Sequence, residues 1–407
     1  MRGDCVRLFF CLLLALLLPS CSPADRAPTL LIATDPHFIS PALTDHGPFF
    51  MRLVEDGDGK LVHYCNELTD TFVQQVIEKK PDCLILSGDL TFNGAKKSHE
   101  DFAAKLRRID QSGIPVLVLP GNHDLYCYAA AQFSGDGYTL SERTSSEEFA
   151  AIYHDLGFDI AIDRDPYSLS YIAEPIPGIR ILMLDTNTQF MEGIVAQNTF
   201  VWLENVLSRA QHDGAKVIAV SHQNLYAHSS LLYKGYIILN TAMLKSRYEH
   251  YGVAANFSGH VHMQHIMDPE GQIPEIVTSS LAVSPCQYGV LTLQDNHAQY
   301  AAETVDVSAW ARSIGSLDPN LLHFEQYAAD FFRATSTPDA SGKKEPDPLF
   351  TWMADLNSAY FAGRLDSIHR ESEYAQRMQQ DDSFFSLYMQ SILAEPPRNH
   401  TQFSFPF

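Results

Sequence analysis

Positive charge is scarce in this 407-residue chain: 28 lysines and arginines stand against 49 aspartates and glutamates, a formal net charge of −21. A surface of that sign repels nucleic-acid backbones and anionic lipid, which argues against any nucleic-acid polymer as a partner. A small phosphorylated substrate stays possible, because bound divalent cations reverse the field locally. Cysteine is sparse as well, and none of the seven shows the CxxC spacing of a thiolate zinc site. Disorder is excluded by the opposite kind of number: 45% apolar and 11% aromatic residues build real cores. The length suits one large α/β domain and a smaller one.

The long apolar run at the start, Leu8–Leu18, has eleven residues and follows Arg2 and Arg7. It is too short to span a bilayer comfortably and fits the apolar stretch of a signal peptide. It leads into "LLPSC", which is similar to a bacterial lipobox with Leu18 at −3, Ser20 at −1 and Cys21 as the lipidated residue. The expectation is a lipoprotein signal over residues 1–20 and a linker over 21–28. The mature protein is then exported and lipid-anchored to a bacterial membrane, facing the periplasm or the exterior. Ordinary cleavage near Ser20, or an uncleaved anchor, is the alternative. Cys65, Cys83, Cys127 and Cys286 remain, with three possible full pairings and nothing in the sequence to choose among them. Cys83 sits in an apolar run and reads as a buried thiol.

Apolar runs rich in β-branched residues recur at 29–35, 83–89, 115–122, 179–185 and 216–222. Between them, 66–80 places Leu68, Phe72, Val76 and Ile77 on one helical face, and 199–210 does the same with Phe200, Leu203, Val206 and Leu207. The segment 98–109 reads as a helix with Ser98 as its cap. Past residue 253 short strands dominate. The whole predicts an α/β fold over residues 29–307, a sheet sandwich with helices outside. "MRLVEDGDGKLVHYC" (51–65) reads as a hairpin around "DGDG", within an insertion over 38–65; the later ligands of a calcium loop are absent. Residues 308–407 read as a small all-helical domain. Asp318 and Pro319 open one helix, a polar linker spans 336–348, and Leu349, Trp352, Met353, Leu356 and Tyr360 form a packing stripe.

Five of the strands stop at potential metal ligands. They end in Asp35-Pro36-His37, in Gly88-Asp89, in Gly121-Asn122-His123-Asp124, in Ser221-His222, and in Gly259-His260-Val261-His262. In α/β sheets the crevice at the carboxyl ends of strands is where ligands bind. Mixed imidazole, carboxylate and amide oxygen donors suit hard or borderline divalent metals. Asp89, alone on its strand end, is the natural bridge between two ions. Asp185 reads as a structural cap, His228 as a solvated loop residue and His265 as an ordinary strand residue.

The series "DPH … GD … GNHD … H … GHVH" resembles the calcineurin-like metallophosphoesterases. That resemblance implies the αββα fold and two divalent ions, manganese, iron or zinc. It assigns Asp35, His37, Asp89 and His262 to one ion, and Asp89, Asn122, His222 and His260 to the other. It further implies in-line attack on phosphorus by a metal-bridging hydroxide, with His123 protonating the leaving oxygen and Asp124 holding the other ring nitrogen of His123. "SGDLTFNG" is similar to the class III cyclic-nucleotide phosphodiesterase branch. Purple acid phosphatases carry a ligating tyrosine where this chain has Phe92. The leading expectation is therefore a phosphodiesterase for small phosphodiesters. A phosphomonoesterase on the same scaffold and a non-catalytic surface lipoprotein are the rivals.

Overall fold

The computed structural model describes residues 26–188, 191–337 and 347–407. The signal segment, Cys21 and most of the 336–348 linker lie outside the described residues. Two mixed sheets face each other. The first has six strands in the order Gln402–Pro406, His297–Thr304, Gln287–Leu293, Thr29–Ala33, Cys83–Leu86 and Val116–Val118. The second has seven: His265–Met267, Glu275–Val277, Val253–Ser258, Lys216–Ser221, Ile179–Leu184, Tyr171–Ile176 and Ala161–Arg164.

Strands with both faces covered read as unbroken apolar runs, and the central parallel strands do so. Leu30, Leu31, Ile32, Leu84, Ile85 and Leu86 are buried together with Ile181, Met183, Ile218 and Val220 of the other sheet. The alternate residues Leu182, Leu184, Val217 and Ala219 turn outward against Phe200, Leu203, Val206 and Leu207 of the Gln197–His212 helix. Helices Cys65–Lys79 and Lys96–Asp110 add their buried Phe72, Val76, Phe102 and Leu106 to the first core. The four layers follow from these two alternations.

Three local readings need correction. Residues 48–55 are a helix, Pro48–Glu55, with Phe50 and Val54 buried four apart. The "DGDG" segment is the turn that ends this helix, and no hairpin forms. The third helix starts at Lys96 after Ala95, so Ser98 lies inside it, where its hydroxyl accepts the Ser40 backbone N–H at 3.0 Å. Among the described residues the carboxyl-terminal region holds the helices Val307–Ser313, Phe324–Ser336, Pro348–Phe361 and Phe384–Ala394, but its last segment returns as the Gln402–Pro406 strand and pairs antiparallel with His297–Thr304. Asp318 caps a short helix, Pro319–Leu322, that breaks at His323. The expected stripe packs a third core: Met353, Leu356 and Tyr360 are buried with Met389, Ile392 and Met263.

Cys65, Cys83, Cys127 and Cys286 are all free thiols. Burial pushes Cys65 and Cys286 up to about 12, so both are inert at neutral pH. Among the described residues no helix is long and apolar enough to cross a membrane.

Candidate metal centre

Asp35, His37, Asp89, His222, His260 and His262 follow the carboxyl ends of four parallel strands, and Asn122 follows a fifth. Five of these residues, Asp35, His37, Asp89, His260 and His262, hold positive φ between 43° and 71°. Non-glycine residues rarely pay that strain, and where it clusters it marks a functional site. The glycines make room for the crossing backbones. A Cβ on Gly88 would lie 2.6 Å from His222 Nδ1, and one on Gly121 would collide with Asp89.

The donors fall into two groups that share Asp89: Asp35, His37, Asp89 and His262, and Asp89, His222 and His260. Within each, one ligand atom from every residue lies within 4.8 Å of the others. His37 Nε2 faces His262 Nε2 at 3.1 Å, and Asp35 Oδ1 lies 3.3 Å from His262 Nε2. His222 Nε2 is 3.3 Å from Asp89 Oδ1 and 3.1 Å from Asn122 Oδ1, which brings the amide into the second group. Each group converges closely enough that it could hold one cation.

Whether cations fit can be judged from unsatisfied atoms. Asp35 Oδ1 is buried without a hydrogen-bond partner, and two imidazole nitrogens point at each other beside it. Lone pairs converging on one point in a buried site are costly unless a cation sits among them. The outward atoms are anchored, as metal ligands require. His222 Nδ1 donates to Ser87 O at 2.8 Å, Thr34 Oγ1 donates to Asp35 Oδ2 at 2.6 Å, and His260 Nε2 lies 3.0 Å from Gly235 O. Burial opposes ionisation of Asp89, yet the His222 and His123 imidazoles hold its carboxyl well below the usual range. Burial works against a charge on His222 too, but Asp89 outweighs it and lifts the imidazole to about 9. Burial and then His222 push His260 down to about 4. The donor set fits two hard or borderline cations.

His123 stands at the rim, 37% exposed, with Nε2 3.9 Å from Asp89 Oδ2. Its Nδ1 lies 2.9 Å from Phe92 O, so a backbone carbonyl holds the ring. Asp124 does not touch it, contrary to expectation. The GNHD turn sends that carboxylate the other way, to accept the N–H groups of Leu90, Thr91 and Gly121 at 2.8–2.9 Å. Asp124 therefore shapes the loop under the site. Asp185 caps Leu169 N and Asn187 N as expected, and burial lifts it to about 6. His228 is not solvated. It is buried, with Nε2 2.9 Å from Glu275 Oε2 and Nδ1 3.0 Å from His265 Nδ1. Sequence reasoning missed Asp58, which faces His262 Nδ1 at 3.8 Å, and Tyr236, whose ring lies 5.0 Å from that of His260. The only signal for Asp58 was the acidic turn read as a hairpin.

Two donor clusters that share one carboxylate, at strand ends of an αββα sandwich, could hold two metal ions side by side. The chain belongs to the calcineurin-like phosphoesterase family, whose profile matches residues 28–264. The family and the site together make it a metal-dependent phosphoester hydrolase. A second profile, the C-terminal domain of cyclic nucleotide phosphodiesterase, matches residues 306–399. Among solved structures, a dimetal phosphatase from Danio rerio is similar at 14% identity and a TM-score of 0.49, over 68% of this chain and 96% of that one. GAP50, the anchor in the inner membrane complex of Plasmodium, is similar at 13% and 0.43, over 69% and 85%. Among curated proteins nothing matches.

Proposed function

We propose that this protein is a phosphodiesterase acting on small phosphodiesters, cyclic nucleotides or similar. The observation that carries the reading is the pairing of this metal centre with a carboxyl-terminal region matching the cyclic nucleotide phosphodiesterase C-terminal domain. Clefts of about 300–1,000 Å³ are the usual scale for small ligands; the one beside Asn122 measures about 470 Å³ and is lined by Tyr126, Tyr128, Arg143, Asn187 and Glu192.

Asp35, His37, Asp89 and His262 would hold one cation, and Asp89, Asn122, His222 and His260 the other. When bound, such a pair supplies Lewis-acid polarisation of the phosphoryl group and an activated water. Manganese, iron and zinc all suit the donors. The chain's own contribution is positional. Ser87 O, Thr34 Oγ1 and Gly235 O fix His222, Asp35 and His260, so little reorganisation accompanies the reaction. Phe92 O fixes the His123 ring through Nδ1, which leaves Nε2 free to serve a leaving oxygen.

Residues 1–21 carry a further part of the proposal: export and lipidation at Cys21, which would place the enzyme on the outer face of a bacterial membrane. Metabolic labelling with a fatty acid tests it, and Cys21→Ser should abolish the label. The activity is tested by assaying the signal-less protein on an aryl phosphodiester and the matching monoester, with manganese and with chelator. Diester turnover exceeding monoester turnover, and lost with chelator, supports the proposal. A preference for the monoester overturns it in favour of a phosphomonoesterase.

A further inference from the structure

The turn after the Pro48–Glu55 helix carries one of the chain's few bases to the mouth of the metal centre. Lys60 Nζ lies 2.9 and 2.7 Å from the two oxygens of Asp58, and Asp58 Oδ2 lies 3.8 Å from His262 Nδ1. The Lys60 side chain is only 15% exposed, against 59% for Asp58. This position is built. Gly59, at φ +85°, packs so closely on Phe332 of the carboxyl-terminal helices that a Cβ there would come within 2.6 Å of the ring. Leu61 N donates to Ala282 O at 2.7 Å, residue 60 bridges Val283, and Ala282 N reaches Asp35 O at 3.4 Å. The turn is therefore fastened to the backbone that carries a metal ligand.

Holding an ammonium largely out of water costs desolvation, and setting it beside the ligands of two cations adds repulsion. Asp58, mostly in solvent, offsets only part of this. An anion between the ammonium and the cations offsets the rest. We propose that Lys60 is a substrate-binding residue of this chain, engaging the anionic oxygens of the phosphoryl group at the mouth of the site. The proposal rests on the phosphoester-hydrolase reading of the same centre.

The test is calorimetric titration of inorganic phosphate into the metal-loaded full chain, with metal content measured on each sample. Lys60→Met keeps the aliphatic stem, and Lys60→Gln is a second neutral variant. Both should weaken phosphate binding about tenfold or more at unchanged metal content. Lys60→Arg keeps the charge and should stay within about threefold of wild type. Phosphate affinity within about twofold of wild type in Lys60→Met overturns the proposal. So does a loss that tracks loss of metal, since Lys60 would then act through the ligands. Because phosphate binding needs no turnover, an inactive protein with Lys60-dependent binding sinks only the hydrolase reading. An active enzyme with Lys60-independent binding sinks only the lysine.

Discussion

Glu275 is a buried carboxylate that belongs to none of the strand-end motifs, and replacing it by glutamine tests how the wall behind the metal centre is held. Its side chain is fully buried and accepts from Leu225 N, Tyr226 N, Asn256 Nδ2, Ser258 Oγ and His228 Nε2, all at 2.8–2.9 Å. Those donors fix the start of the 223–240 segment, which supplies Gly235 O to His260. In Glu275→Gln the amide oxygen keeps the partners on one side, while the new NH₂ faces donors on the other. If the oxygen stays toward Leu225, Tyr226 and His228, the amide meets Asn256 and Ser258. Ser258 can rotate to accept, so one or two donors are stranded. At about 1–3 kcal/mol for each unsatisfied buried group, the loss is about 2–4 kcal/mol. Glu275→Ala strands all of them and leaves a cavity, so it should cost more, about 4 kcal/mol or beyond. Urea unfolding followed by intrinsic fluorescence, with midpoints compared at constant m-value, measures both. A Glu275→Gln cost under about 0.5 kcal/mol, the range of ordinary surface substitutions, would refute the reasoning.

Further consequences can be checked independently. Gly88→Ala puts a Cβ 2.6 Å from His222 Nδ1 and 2.8 Å from Gly121 N at φ +104°, so metal content should fall from two ions toward one while the fold persists; unchanged loading contradicts it. His123→Gln should slow diesters with alkoxide leaving groups by about 10²–10⁴ and those with nitrophenolate far less, and equal losses on both would remove the acid role. Burial pushes His63 down to about 4 and His400 down to about 2. Both bases take up a proton more readily unfolded than folded, so their stability is fully present above about pH 6.5 and is lost as pH falls. Between about pH 6 and 4 the pair should contribute a slope of about 2–2.5 kcal/mol per pH unit. A His63→Gln/His400→Gln double variant with the same pH dependence of unfolding as wild type contradicts that.

The converging donors were legible because each apolar run stops where a donor begins, and a parallel strand buried on both faces leaves no other pattern to read. What the sequence hid depends on chain direction or on distant partners. Asp124 follows His123, yet the GNHD turn points it at Leu90, Thr91 and Gly121 instead of at the imidazole. His228 looked solvated because its partner, Glu275, comes 47 residues later. "DGDG" resembles a hairpin turn, and only the burial of Phe50 and Val54 on one side shows a helix before it. Lys60 was overlooked for the same reason, since its neighbours at the site are brought together by Phe332 and Ala282.

The central claim is that one carboxylate, Asp89, joins two ligand sets into a single dinuclear centre. It is tested most directly by counting metal ions per chain, by plasma mass spectrometry after loading and desalting, in wild type, Asp89→Ala and His262→Ala. The account predicts two ions in wild type, one retained in His262→Ala and none in Asp89→Ala, with all three proteins folded. A folded Asp89→Ala protein that still holds two ions, or a wild type that never binds more than one, would contradict it.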